Sequence, residues 1–90
     1  MLTLPATVTI AEASAALREL ARAVPGEKGA EVTLDASGLV RFDTSALAVL
    51  LELKRLAQAQ GKRFALVHAP ARLADLARLY GLTPLLTEIG

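Results

Sequence analysis

The sequence has no cysteine, no tryptophan, one tyrosine, two phenylalanines and one histidine. Without cysteine there are no disulfides and no thiolate metal sites, and a reducing cytoplasm suits the chain. A lone histidine, His68, has no second imidazole to share a metal ion, so it reads as an ordinary residue at a strand end. With aromatics at only 3%, the core has to be aliphatic. No apolar run approaches the roughly 20 residues that span a bilayer. The opening Met1-Leu-Thr-Leu-Pro5 has neither the basic start nor the long apolar stretch of a signal peptide. Formal net charge is +1 and there is no long basic run, which argues against nucleic acid. No Gly-rich phosphate cradle and no nucleophile with a base are visible. Asp35 and Asp43 taken as an acid pair would be unsupported, so the reading is non-enzymatic, with no catalytic residue, no cofactor and no metal.

What is present is apolar aliphatic content. Of the 90 residues, 53% are hydrophobic, enough to fill one two-layer core but not two. The expectation is one domain over residues 1–90.

Periodicity and turn residues divide the chain. Leu2–Leu4 makes a short strand ended by Pro5, and 7–9 is extended or turn. Thr9 caps a helix, with Glu12 completing a capping box. This helix runs over about 10–24, with Ile10, Ala13, Leu17, Leu20, Ala21 and Val24 on its inner face. Pro25–Gly29 is a turn. Glu31–Asp35 is a strand carrying β-branched Val32 and Thr33. Residues 36–42 form a loop with a brief extended piece. A second helix covers about 44–60 and stops at Gly61. Phe64–His68 is a strand. Pro70 opens a third helix to Leu79, with Leu73, Leu76, Ala77 and Tyr80 inward and Gly81 as its stop. Leu85–Thr87 is a candidate edge strand. Strands joined through helices pair in parallel, so the fold expected is a small α/β sandwich: about four mostly parallel strands with three helices.

The stretch from Asp35 to Leu47 organises the rest. Asp43, Thr44 and Ser45 stand where the second helix begins, and capping needs only one of them. On that helix Ala46, Val49, Leu50, Leu53, Leu56 and Ala57 share the core stripe. Thr44, Leu47, Leu51 and Gln58 fall on another strip, flanked by Lys54 and Arg55. Two partly exposed leucines below a helix-start hydroxyl and beside two cations make a docking patch. Thr44 has a second chemical option. A phosphate there would meet unpaired backbone N–H groups and the positive end of the helix dipole.

Asp-Ala-Ser-Gly-Leu-Val-Arg-Phe-Asp-Thr-Ser-Ala-Leu-Ala-Val-Leu-Leu, from Asp35 to Leu51, resembles the central motif of STAS domains. The Gln60-Gly-Lys helix end, the Phe64-Ala-Leu-Val-His68 strand and the piece from Pro70 to Leu82 follow in register, so the resemblance covers about 31–82. It implies an interaction domain without a cofactor or catalytic centre. In one branch, the anti-sigma factor antagonists, a partner kinase phosphorylates the Ser or Thr after the motif Asp; Thr44 matches that position. In the MlaB-type branch, a small STAS protein binds the ATPase subunit of an ABC-type phospholipid transporter at the bacterial inner membrane. Asp43-Thr44, Leu47-Ala-Val-Leu-Leu51 and Ala77-Arg-Leu-Tyr-Gly-Leu82 are similar to the second branch.

That resemblance implies a cytoplasmic protein, peripheral to an inner-membrane complex. Its partner surface would be made by Asp43, Thr44, Ser45, Leu47, Leu51, Lys54 and Arg55. An anti-sigma factor or kinase is the alternative partner, and Thr44 the possible phosphoacceptor. The chain departs from the family at two places. Ala46 stands where Gly is usual, which would hinder a partner needing close backbone approach. Too few residues precede the first helix for the usual N-terminal β-hairpin. The sheet edge is then trimmed, and such an edge invites a partner strand or a homodimer.

Overall fold

The computed structural model describes residues 1–82. The elements run β1 (Leu2–Thr3), β2 (Thr7–Val8), α1 (Ala13–Ala23), β3 (Glu31–Asp35), β4 (Arg41–Phe42), α2 (Thr44–Ala59), β5 (Arg63–Val67) and α3 (Ala71–Leu79). This is the expected parallel α/β sandwich with three helices. Its strands are divided between two small sheets. β1, β3 and β5 form one in that order, and β2 and β4 form the other. Every pairing is parallel, with Leu2 opposite Leu34, Val32 opposite Phe64 and Val8 opposite Phe42. The N-terminal residues make no hairpin, because β1 and β2 go to different sheets. The expected strand at Leu85–Thr87 lies outside the described residues.

β3 alternates, with Val32 and Leu34 fully buried and Thr33 and Asp35 half-exposed. β5 buries Phe64, Ala65 and Leu66 in succession, the signature of a parallel strand covered on both faces. Around them Val8, Val24, Leu50, Leu53 and Leu73 close a core of aliphatic side chains in which Phe64 is the one fully buried aromatic.

The first helix starts three residues later than its apolar pattern implies. Glu12 makes the expected capping-box bond, its carboxylate accepting the Thr9 N–H (2.9 Å) and also the Thr9 hydroxyl (2.5 Å). The backbone N–H groups of Glu12 and Ala13 both bond the Thr9 carbonyl. Residues 9–12 are therefore a closed turn, and Ile10 leaves the helical phase to stand 81% exposed instead of lining the core.

Two helices end alike. Beyond α2, Gly61 takes φ +73°, its N–H bonds the Gln58 carbonyl and the Lys62 N–H bonds that of Ala57. Beyond α3, Gly81 takes φ +70°, bonding Arg78, while Leu82 bonds Ala77. Both are Schellman closures, in which only a residue at ease with positive φ turns the chain back. Leu82 packs onto the core behind the second closure. Tyr80, at the cap, is consequently turned out and 57% exposed, where its spacing placed it inside. Among the described residues no helix is long and apolar enough to cross a membrane.

Candidate functional site at the start of the second helix

Asp43 is the N-cap of α2. It has extended backbone angles, and its Oδ1 accepts the Ser45 N–H at 2.8 Å. Its Oδ2 accepts the Ile10 N–H at 3.1 Å. One carboxylate thus holds two chain segments together, and those bonds, Ser45's first, pull its pKa below the ordinary 3.8. The Ala46 N–H bonds the Asp43 carbonyl. The helix-start donors that a phosphate on Thr44 would have met are largely engaged by Asp43. Asp35, at the end of β3, accepts the Ser37 N–H at 2.9 Å, which closes the turn leading to the site and holds its carboxyl below the usual range.

Thr44, the first helical residue, is exposed. It borders a groove of about 460 Å³ lined by Phe42, Asp43, Thr44, Arg72, Asp75, Leu76 and Leu79. The parallel topology makes this groove. Helices following parallel strands begin at the carboxyl ends of those strands, so the starts of α2 and α3 lie at one end of the molecule. Arg72 stacks over the Phe42 ring, its Cζ 5.1 Å from the centroid. Asp75 pairs with Arg78 at 2.9 Å. Among the described residues, no three His, Cys, Asp or Glu side chains could hold a metal ion.

The residues expected to form the docking patch divide. Asp43 and Thr44 lie on this groove. Ser45 lines a second hollow, of about 270 Å³, between α1 and α2 with Ile10 and Leu17. Leu47, expected to be partly exposed, is buried at 3% in the core cluster that includes Leu73 and Ala77. The buried stripe of α2 reaches from Val49 round to Leu47, about 160° of the helix circumference, wider than a single-sided stripe. Leu51 is exposed at 41%. Lys54 is half-buried and Arg55 exposed, about 15 Å along the helix from Thr44. Arg55 is paired with Glu52, its Nε 3.0 Å from Oε1. Ala46 is fully buried in the core, so its methyl group does not stand between the helix start and a partner, as the departure from Gly had implied.

Sequence reasoning missed the α3 side of the groove. Arg72, Asp75, Leu76 and Leu79 are spaced i, i+3, i+4, i+7, the signature of one helical face, and Leu79 is 77% exposed. That face was legible beside the core face of Leu73 and Ala77, had both sides of the short helix been read.

The family model described as Mlab, STAS domain matches residues 1–87. No curated protein matches the chain. Family membership supports a non-enzymatic interaction domain, in keeping with a solvent-facing groove at a capped helix start. With that match spanning nearly the whole sequence over the observed parallel α/β fold, the chain belongs to the MlaB-like STAS domain family.

Proposed function

We propose that this domain is the STAS subunit that binds the ATPase of an ABC-type phospholipid transporter, on the cytoplasmic side of a bacterial inner membrane, in maintaining lipid asymmetry. The observation that carries this reading is the exposed Thr44 at a rigidly capped helix start, bordering an apolar groove. Leu51 and Leu79 extend the apolar surface near it. Membership in the MlaB-like family supports the choice of partner. The partner would be held by shape and apolar contact, with Thr44 at the centre of the contact.

The test is a tagged pull-down from native membranes, comparing wild type with Thr44→Glu by mass spectrometry. Wild type should recover the transporter ATPase. Thr44→Glu should recover much less, because a carboxylate would be desolvated against the partner. Equal recovery by both removes the reading.

The exposure of Thr44 also favours a second reading, an anti-sigma factor antagonist whose partner kinase phosphorylates that hydroxyl. Recovery of a soluble kinase, or phosphate on Thr44, would favour it over the transporter.

A further inference from the structure

Among the described residues that line the groove, Arg72 is a cation without an anionic partner. Asp43 is engaged by two backbone N–H groups, and Asp75 is paired with Arg78. Arg72 lies on the same groove. Among the described residues its guanidinium contacts the Phe42 ring and makes no hydrogen bond or ion pair. A guanidinium stacked on an aromatic face is held in place while its planar N–H fork stays available at the edge. Such a fork matches a carboxylate with two parallel hydrogen bonds. Beside it lie Leu76 and the exposed Leu79.

We propose that Arg72 is the charge anchor of the docking groove, and that the occupant is a protein segment presenting a carboxylate to Arg72 next to an apolar side chain seated on Leu76 and Leu79. This rests on the reading above, that an ATPase subunit is the partner, and names the chemistry by which that partner is recognised. Charge complementarity selects the occupant. Of the two acids of the groove, Asp43 is engaged by two backbone N–H groups and Asp75 is paired with Arg78, whereas Arg72 is left for an anionic group to complete. Because the Phe42 ring already positions the guanidinium, little side-chain freedom remains to be lost on binding.

The test measures affinity of the intact protein for the purified ATPase subunit of the phospholipid transporter. Wild type is compared with Arg72→Gln, Arg72→Lys, Arg72→Glu and Arg22→Gln at low and high salt. Arg22→Gln is the control, since it removes an exposed cation of α1 that does not line the groove. Arg72→Gln should weaken binding by about tenfold or more, Arg72→Glu by more still, and Arg22→Gln much less. Arg72→Lys, which keeps the charge but not the fork, should restore part of the loss. Salt should weaken wild type more than Arg72→Gln. Circular dichroism spectra and melting midpoints should be unchanged in all variants. If wild type binds the ATPase and the Arg72 variants bind equally well, the anchor is overturned and the partner reading stands. If wild type binds no ATPase, both fall. Self-association that Arg72→Glu abolishes, without ATPase binding, would assign the groove to a second copy of the chain and overturn the proposal.

Discussion

The carboxylate of Asp43 accepts the backbone N–H of Ile10 at 3.1 Å across 33 residues of sequence. The same side chain caps α2 through Ser45, so the closed turn of residues 9–12 and the start of α2 share one fastening. Asp43→Ala removes both bonds and should lower the thermal midpoint by roughly 5 °C. Asp43→Asn keeps one acceptor oxygen and puts an NH2 donor in place of the other, so it can keep one of the two bonds and should fall between. Scanning calorimetry on the three proteins checks this. Equal midpoints for Ala and wild type would mean that the cap contributes nothing.

Acid should loosen the same fastenings. Glu12 is held below its ordinary 4.5, first by the Thr9 hydroxyl. Asp35 and Asp43 are held below 3.8, first by the N–H groups of Ser37 and Ser45. A carboxylate with a lower pKa folded than unfolded binds fewer protons in the folded state. Its stabilisation is complete above the unfolded value and disappears as pH falls through the folded one. Urea midpoints should therefore be flat above about pH 5.5 and decline below about pH 4.5. Asp43→Asn should show a shallower decline. A wild-type midpoint unchanged down to pH 3 would contradict the role given to these bonds.

Two leucines on α2 should separate stability from binding. Leu47 is 3% exposed and Leu51 41% exposed. Leu47→Ala opens a cavity and should cost about 2–5 kcal/mol of stability. Leu51→Ala should change stability by less than about 1 kcal/mol yet weaken capture of the ATPase. Chemical denaturation and the pull-down, run on both variants, give the comparison. A stable Leu47→Ala protein, or a Leu51→Ala protein that binds as wild type, would break the assignment.

These residues also mark where the sequence was readable. The β3 strand, the span of α2 and the stop at Gly61 follow from β-branched content, periodicity and a glycine, all local signals. The MlaB-like family was legible in the run from Asp35 to Leu51. Leu47 was misplaced because a helical wheel describes one helix alone, whereas the tertiary packing buries a stripe of α2 wide enough to take Leu47 into the core cluster. Ile10 was misplaced because residues 9–12 form a turn ahead of α1, outside its helical phase, although Glu12 makes the expected capping-box bond to Thr9. Division of the strands into two sheets, and the meeting of Phe42 with Arg72, are tertiary facts that no spacing within either segment encodes.

The end of α2 gives a last test, set by backbone geometry alone. Gly61 holds φ +73°, and a Cβ built there meets nothing within 4 Å. Space is therefore available, and the only obstacle to a side chain is the left-handed conformation. Gly61→Ala should cost about 1 kcal/mol, and Gly61→Asn less, because Asn tolerates that region. Gly26 has equally open surroundings without a positive φ. Gly26→Ala should be neutral or slightly stabilising, since it restricts the unfolded chain without straining the folded one. Urea denaturation of the three variants measures both effects. Equal stabilities for Gly61→Ala and Gly26→Ala would show that the Schellman closure of α2 is not what fixes glycine at position 61.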